Sequence, residues 1–187
     1  MNDIVIAELE QHRDIVDQVI KLLAEDIGLG CDMIIKAIQS GKKVLLAGNG
    51  GSAADAQHIA AEFTGRFVKE RKPLPAIALT TDTSALTSIA NDYGYEKVFS
   101  RQLEALAQSG DVLIAISTSG NSPSIIAALQ SARNIGCKTI GLTGKGGGEM
   151  NNYCDSNIIV PATITARIQE VHILIGHIFC RVVEAEY

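Results

Sequence analysis

The first part of the chain carries apolar residues at helical spacing. Between residues 3 and 26, apolar side chains recur mostly every three or four positions, with acidic and basic residues between them. A second helix is predicted over residues 29–39, ending at Ser40-Gly41. These helices precede any strand, so they either cover a sheet or pack against a second subunit. A long amphipathic helix in so short a chain favours packing against a second subunit.

Beyond residue 41 the pattern changes to short apolar runs separated by helical segments. Such runs are typical of parallel strands that are covered on both faces. The predicted strands span residues 43–47, 75–79, 111–116, 138–142 and 157–160. The predicted helices span residues 52–67, a segment that begins near Asp82 or Thr83, residues 122–135 and residues 164–185. We therefore expect an α/β fold: a Rossmann-like three-layer α-β-α sandwich with a five-stranded parallel sheet, preceded by N-terminal helices.

No Pro-, Gly- or Ser-rich linker interrupts this alternation. One domain is expected over residues 1–187, with the N-terminal helices in 1–41 and the α/β core in 42–187. Ligands of such sheets bind at the carboxyl ends of the strands. That rule directs attention to the turns after the first and third predicted strands. The glycines at 144–148 are expected to form only a flexible connection.

Composition narrows the class of protein. Hydrophobic residues make up 47% of the 187 residues and charged residues 20%, as in a folded globular protein. A formal net charge of -5 argues against binding nucleic acid. No apolar run approaches the roughly 20 residues needed to cross a membrane. Four cysteines without CxxC spacing, and an acidic N-terminus without a signal-peptide pattern, favour a soluble protein of the reducing cytoplasm.

The turn after the first predicted strand is rich in glycine. It reads Gly48-Asn49-Gly50-Gly51-Ser52, and its glycines let the backbone approach an anion at the start of a helix. Extended to Ala53, the turn also fits the dinucleotide pattern G-x-G-x-x-A. A tight strand-to-helix connection with Ser52 as N-cap is a further alternative.

The turn after the third predicted strand is rich in hydroxyl groups. Four of them, together with Gly120, fall within residues 117–122: Ser117, Thr118, Ser119 and Ser122. Hydroxyls and backbone amides at a helix N-terminus suit a phosphate monoester, which offers several acceptor oxygens. The simpler alternative is a polar loop with a routine helix cap at Ser122-Pro123. Neither turn matches the P-loop pattern, which disfavours nucleoside triphosphate hydrolysis.

Two helices carry candidate reactive side chains. His58 and Glu62 are four residues apart, so they share one face of the helix after the glycine-rich turn. Four polar residues interrupt the apolar surface of the last predicted helix: Gln169, Glu170, His172 and His177. Buried polar groups need partners, so these four mark either a site or satisfied core and interface groups. Gln169 and His177 lie about 12 Å apart along an ideal helix, so they share one ligand only by leaning together, or they serve different subunits.

Together these segments resemble the sugar isomerase (SIS) domain family, and the resemblance covers the whole chain. It is carried by residues 48–52, 58–66, 91–94, 117–122 and 167–177. The resemblance implies an aldose–ketose isomerase that converts sedoheptulose 7-phosphate to D-glycero-D-manno-heptose 7-phosphate through an enediol. It also implies a homotetramer with active sites at subunit interfaces, and a role in making bacterial surface heptose for lipopolysaccharide or capsule.

The resemblance also implies roles for the matching residues. Glu62 and His177 become the catalytic acid/base pair. The implied substrate contacts are Gly50, Gly51, Ser52, Glu62, Asn91, Asp92, Ser117, Thr118, Ser119, Ser122 and Gln169. Some relatives bind zinc, one ion per subunit, through the positions of His58, Glu62, Gln169 and His177. Ala166 departs from the pattern, because some relatives carry Asp there.

Two alternatives come from other classes of protein. A dinucleotide-binding protein would use Asp82 as a ribose contact, but it leaves the hydroxyl-rich turn unexplained. A non-catalytic SIS-domain interaction protein of the replication-initiator-associating type keeps the fold and the glycine-rich turn. That relative looks to have lost the carboxylate that matches Glu62. Since Glu62 and His177 are both present here, an isomerase is the preferred hypothesis.

Overall fold

A computed structural model describes residues 2–187 of the chain. The helices are α1 (Asn2–Leu22), α2 (Ala24–Gln39), α3 (Gly51–Thr64), α4 (Thr83–Tyr93), α5 (Ser100–Leu106), α6 (Pro123–Ile135) and α7 (Thr165–Glu184). The strands are β1 (Val44–Gly48), β2 (Ala76–Ala78), β3 (Val112–Ser117), β4 (Lys138–Thr143) and β5 (Ser156–Ile159). Their order in the sheet is β2-β1-β3-β4-β5, and every neighbouring pair is parallel. The predicted α/β sandwich with N-terminal helices is confirmed.

Strands β1 and β3 lie side by side at the centre of the sheet. Every residue of both strands is buried, as expected for strands covered on both faces. Their register pairs Gly48 with Ile116 at the carboxyl ends. The turns that follow the two strands therefore begin next to each other, at the edge of the sheet where ligands of such folds bind.

Two hydrophobic cores cover the faces of the sheet. The first joins one face to α1, α2, α3 and α7, and it contains the buried rings of Phe63 and Phe179. The second joins the other face to α4, α5 and α6, and it contains the buried ring of Phe99. The N-terminal helices thus share a face with α3 and α7. No helix among residues 2–187 is both long and apolar enough to cross a membrane.

Helix α1 is covered only over part of its length. Ile15 and Val19 are its buried residues. Four apolar side chains nearer its start are 53–70% exposed: Ile4, Val5, Ile6 and Leu9. An exposed apolar surface of this kind is typical of a region that packs against another protein.

The break between the first two helices differs from the sequence-based expectation. Helix α1 ends at Leu22 and α2 begins at Ala24, whereas helices over 3–26 and 29–39 were expected. The expected gap, residues 27–28, contains Gly28, but this glycine lies inside α2, as does the buried Gly30. An added Cβ at Gly30 would sit 3.0 Å from the ring of Phe179, so this glycine permits close packing between α2 and α7.

Two further elements also differ. The sequence pattern does not predict α5, because an apolar face seven residues long is too short to show a helical period. The helix expected over 52–67 ends at Thr64. Residues 65–74, named the strap below, form a segment without regular structure that leads to β2.

Candidate active site

One side chain, Asn49, joins the glycine turn (residues 48–52) to the serine turn (residues 117–122). Its amide nitrogen donates to the hydroxyls of Ser122 (2.9 Å) and Ser124 (3.0 Å). Its oxygen accepts a hydrogen bond from the Tyr95 hydroxyl at 2.8 Å. The two turns therefore form one continuous surface. Sequence spacing carries no signal for this role, since the partners lie 46 to 75 residues from Asn49.

Close backbone contacts shape the glycine turn. An added Cβ on Gly48 would sit 2.4 Å from the carbonyl oxygen of Ser52. Gly50 has a φ of +56°, a conformation that residues with side chains rarely adopt. Ser52 itself is only 3% exposed. The turn therefore presents mostly backbone at the start of α3, which suits an anion.

The serine turn is braced by residues 144–150, named the brace loop. The Met150 amide donates to the carbonyl of Gly120 at 3.0 Å. Gly120 has a φ of +67°, and an added Cβ there would lie only 2.0 Å from the carbonyl oxygen of Gly147. The expectation that 144–148 form only a flexible connection is therefore wrong, because this segment packs against the serine turn.

Ser122 is not a routine helix cap. It occupies the N-cap position of α6, but its side chain makes no capping hydrogen bond. Its hydroxyl instead accepts from Asn49. The other hydroxyls cluster on the turn, with Oγ of Ser117 and Oγ of Ser119 3.5 Å apart and Thr118 half-buried between them. The hydroxyl groups at this helix start are thus arranged with the glycine turn rather than around α6 alone.

Helices α3 and α7 pack side by side and run in the same direction. Three contacts show this direction, because residues later in α7 meet residues later in α3. Gln169 meets Gly51, Gly176 meets Ile59, and His177 meets His58. An added Cβ on Gly176 would sit 2.4 Å from Cδ1 of Ile59, so this glycine allows the helices to approach closely. The seam between them leads from the glycine turn to a pair of histidines.

His58, Glu62 and His177 come together at this seam. Nε2 of His58 lies 3.2 Å from Nε2 of His177 and 3.3 Å from Oε1 of Glu62. The ring of Phe67 packs against the His177 ring, with centroids 5.5 Å apart. The side chains of His58 and Glu62 are 49% and 26% exposed, so the cluster is open to solvent. Burial, together with the Glu62 charge, raises the pKa of the Cys180 thiol to about 12, which keeps this neighbouring group neutral.

The remaining predicted site residues lie apart from this cluster. Gln169 packs against Gly51, which precedes His58 by seven residues or about 10 Å along α3. Asn91 and Asp92 lie exposed at the end of α4, where the Asn91 amide donates to the Asp92 carboxylate at 2.8 Å. The structure therefore groups Gln169 with the glycine turn and leaves Asn91 and Asp92 as a separate polar pair.

Two other polar residues of α7 have partners elsewhere in the fold. Glu170 contacts His12 of α1 at 2.7 Å and pairs with Arg167. Nε2 of His172 lies 3.1 Å from the carbonyl oxygen of Thr143 at the end of β4. His172 is fully buried, and burial lowers its pKa to about 4. Glu170 thus ties α7 to α1, and His172 ties α7 to the sheet.

The donor atoms at the seam have the chemistry that zinc requires. Donors on a tetrahedral zinc ion lie about 3.3 Å apart, given bond lengths of about 2.0–2.1 Å. The two separations at His58, 3.2 and 3.3 Å, match this spacing. Within residues 2–187, however, no group of three or more His, Cys, Asp or Glu side chains is arranged to hold a metal ion. Donor pairs are in place, and a complete ligand set is not.

The fold and the site define a class of protein. It is a parallel α/β sandwich with a glycine-rich and a hydroxyl-rich turn at adjacent strand ends, and with a carboxylate–imidazole cluster about 10 Å along α3 from the first turn. Residues 9–144 match the SIS domain family. The chain belongs to that family.

Relatives within the family are more specific. The phosphoheptose isomerase of Aliarcobacter butzleri is 55% identical over 186 residues, which cover 100% of this chain and 98% of the relative. That of Campylobacter concisus is 57% identical over 180 residues, covering 96% and 95%. The solved phosphoheptose isomerase of Neisseria gonorrhoeae matches with a TM-score of 0.93 at 43% identity, covering 98% of both chains. Within the SIS domain family, the chain therefore belongs with the phosphoheptose isomerases.

Proposed function

We propose that the chain is an aldose–ketose isomerase that converts sedoheptulose 7-phosphate to D-glycero-D-manno-heptose 7-phosphate. The observation that carries the proposal is the meeting of Glu62 and His177 at His58, on a seam that begins at the glycine turn. Similarity to phosphoheptose isomerases supports the same reaction. The proposal accounts for the hydroxyl-rich turn, which dinucleotide binding leaves unexplained, and for Glu62, which a non-catalytic interaction protein does not need.

The chemistry moves a proton between neighbouring carbons. The Glu62 carboxylate removes a proton from C1 of the ketose, and the electron pair left behind forms the C1–C2 double bond of an enediol. The C2 oxygen takes up a proton in this step. Returning a proton to C2 and removing one from the C1 oxygen gives the aldose. We assign the oxygen protons to His177, because an imidazole both donates and accepts protons near neutral pH.

The phosphate end of the substrate is assigned to the two turns. The glycine turn offers backbone at the start of α3, and the serine turn offers hydroxyls at the start of α6. Both helices direct the positive ends of their dipoles at a bound dianion, which suits a chain of net charge -5. Binding energy gained at the phosphate orients the distant reacting carbons.

Zinc is part of the proposal, as one ion per subunit. His58, Glu62 and His177 would hold it once their side chains close around the ion, since only donor pairs are in place in the structure, and Gln169 would join them only after its side chain leaves Gly51. When bound, zinc supplies a Lewis acid for the substrate oxygens. A carboxylate that binds a metal is a weaker base, so the two roles of Glu62 compete. Elemental analysis of the purified protein is expected to give one zinc per chain, and a His58→Ala variant is expected to give much less.

We further infer a homotetramer with interfacial active sites, placed in the cytoplasm and feeding surface heptose synthesis for lipopolysaccharide or capsule. The exposed apolar side chains at the start of α1 support assembly. Light scattering is expected to give four times the chain mass of 19.9 kDa. Replacing Ile6 and Leu9 together by Asp is expected to lower that mass. A wild-type chain that stays monomeric at micromolar concentration would refute the assembly.

The reaction is tested by incubating the full-length protein with sedoheptulose 7-phosphate, with and without a chelator. We expect turnover in the wild type and a loss of about a hundredfold or more in Glu62→Gln, since this change removes the base and keeps the shape. Glu25→Gln, on an exposed part of α2, is the matched control and is expected to keep full activity. Absence of wild-type turnover under both conditions would favour a binding protein, and an active Glu62→Gln variant would exclude the carboxylate as base.

A further inference from the structure

We propose that Arg71 and Glu184, a buried ion pair outside the site, are positioning residues for Glu62 and His177. Arg71 lies in the strap, and Glu184 is the last residue of α7. The pair joins the end of α3 to the end of α7 at the reactive end of their seam. This inference rests on the proposed isomerase function, since it assigns a purpose to the pair in terms of those two residues.

The guanidinium of Arg71 holds the end of α3 by donating hydrogen bonds to backbone carbonyl groups of that helix. The last carbonyls of a helix have no partner within the helix. Nη2 of Arg71 donates to the carbonyl oxygen of Glu62 itself at 2.7 Å. Nη1 donates to the carbonyl oxygens of Phe63 (2.8 Å) and Gly65 (3.1 Å). The backbone of the proposed base is thus bound directly by a guanidinium whose side chain is only 2% exposed.

The carboxylate of Glu184 holds the strap by accepting hydrogen bonds from backbone amides of the strap. Its carboxylate is fully buried, and both oxygens accept from the amide of Val68 at 3.1 Å. Burial alone would raise the pKa of Glu184, but hydrogen bonds from the amides of Lys69, Val68 and Phe67 hold it below its ordinary value. Phe67, which directly precedes Val68 in the strap, is the residue whose ring packs against His177.

The two charges depend on each other. Nε of Arg71 has no hydrogen-bond partner among the described residues and lies 3.7 Å from Oε1 of Glu184. A buried charge that loses its partner is strongly unfavourable, so removing either residue disturbs the other. Disturbing Arg71 moves the Glu62 backbone, and disturbing Glu184 moves the ring beside His177. Arg181, which is largely exposed, lies 3.7 Å from the other oxygen of Glu184. The buried pair therefore joins the backbone of the proposed base to the segment that packs on the proposed acid.

A second buried pair in the chain provides a matched control. Lys43 and Asp111 pair at 2.6 Å, with side chains 21% and 1% exposed. They lie beside the amino ends of β1 and β3, at the opposite edge of the sheet from the turns. Breaking this pair costs stability without touching the seam, so it separates loss of stability from loss of positioning.

The test compares Arg71→Lys, Glu184→Gln and Phe67→Leu with Lys43→Met in the full-length protein, well below their unfolding temperatures. We expect kcat for sedoheptulose 7-phosphate to fall about tenfold or more in the first three, because small misplacements of reacting groups are costly. KM is expected to change less than about twofold, since the phosphate is held at the turns. Lys43→Met is expected to keep the wild-type kcat. Equal kcat losses in Arg71→Lys and Lys43→Met, at equal loss of stability, would overturn the proposal.

A measurement that needs no turnover keeps this test separate from the proposed reaction. The resonances of the His177 imidazole are compared by NMR, at one fixed pH, in the wild type, Arg71→Lys and Glu184→Gln. We expect both variants to shift these resonances, and Lys43→Met to leave them unchanged. Arg71→Lys keeps the buried positive charge, so it is the variant least at risk of unfolding. Unchanged His177 signals in both Arg71→Lys and Glu184→Gln would overturn the proposal even if the reaction is confirmed.

Discussion

The glycine turn and the serine turn stand at the ends of neighbouring central strands, yet they are shaped in different ways. The glycine turn is shaped from within: Gly48 meets the carbonyl of Ser52, only four residues on. The serine turn is shaped from outside, because Gly120 packs against Gly147 of the brace loop. A local contact fixes the first, and a long-range contact fixes the second. The serine turn is therefore open to disturbance from β4 and the loop after it.

The largest effect is expected at the serine turn, from Gly120→Ala. The added Cβ would lie 2.0 Å from a backbone oxygen that cannot move aside, in a conformation with φ of +67°. We expect a loss of about 3 kcal/mol in the free energy of unfolding, measured with denaturant. We also expect a low activity that rises with sugar-phosphate concentration without reaching a plateau. Gly146→Ala is the control, since Gly146 has a φ of +80° but open space around it. Its cost is expected near 1 kcal/mol, and equal costs would show that the brace loop yields easily.

The next effect is expected at the glycine turn, from Gly48→Ala. Its Cβ would lie 2.4 Å from the Ser52 carbonyl oxygen, but the backbone conformation of Gly48 suits any residue, so only the clash is added. We expect a loss of about 2 kcal/mol and a clear rise in KM for the sugar phosphate. Gly28→Ala, on α2 with nothing within 4 Å, should instead stabilise the protein slightly. If Gly48→Ala left KM unchanged, the glycine turn would not be part of the phosphate site.

A smaller effect is expected from Gly51→Ala in the same turn. Here the added Cβ would lie 2.7 Å from Nε2 of Gln169, the far end of a flexible side chain. Gln169 can swing away, so the unfolding free energy should change by less than about 0.5 kcal/mol. KM is expected to rise several-fold because the side chain displaced is a proposed substrate contact. A stability loss as large as that of Gly48→Ala would show that Gln169 is held rigidly against the turn.

The smallest effect on stability at neutral pH is expected from His172→Gln, next to the residue that precedes the brace loop. The Gln amide can replace the Nε2 contact to the Thr143 carbonyl, but it does not titrate. The pKa of His172 is about 4 in the folded chain, below its ordinary value near 6.5. The unfolded chain therefore binds the extra proton first, and stability falls as the pH drops from about 6.5 toward 4.

The check is the free energy of unfolding of wild type and His172→Gln at pH 7 and pH 5.5. We expect the wild type to lose about 1 kcal/mol more than the variant between these two values, since one pKa unit corresponds to about 1.4 kcal/mol. Equal losses of unfolding free energy in the two proteins would show that His172 does not make the folded chain sensitive to acid.

The fold and the two turns could be predicted because their signals are local. The five strands are continuous apolar runs, and each turn is a short polar segment directly after one of them. The pairing of His58 with Glu62 follows from a spacing of four on a helix. The convergence of His177 with this pair did not follow from its spacing; it came with the resemblance, and the structure shows its basis in the parallel packing of α3 and α7.

The features that escaped prediction depend on contacts between distant segments. Asn49 bonds to Ser122 and Ser124 only because β1 and β3 are neighbours in register. The brace loop looked like a flexible glycine run, since nothing in its sequence shows that Gly120 lies against it. Arg71 and Glu184 carry no local sequence signal, because each is buried only by the packing of the strap on α7.

The parallel seam of α3 and α7 also acts as a molecular ruler. His58 of the proposed reactive cluster lies seven residues after Gly51 of the glycine turn, or about 10 Å along α3. If the phosphate is held at the turns as proposed, the sugar must span that length before its far carbons reach Glu62. The proposed site would then select for the length of the sugar chain through the rise of α3. Substitutions in the turns can weaken phosphate binding. Only adding or removing residues of α3 would change the distance between the glycine turn and the cluster.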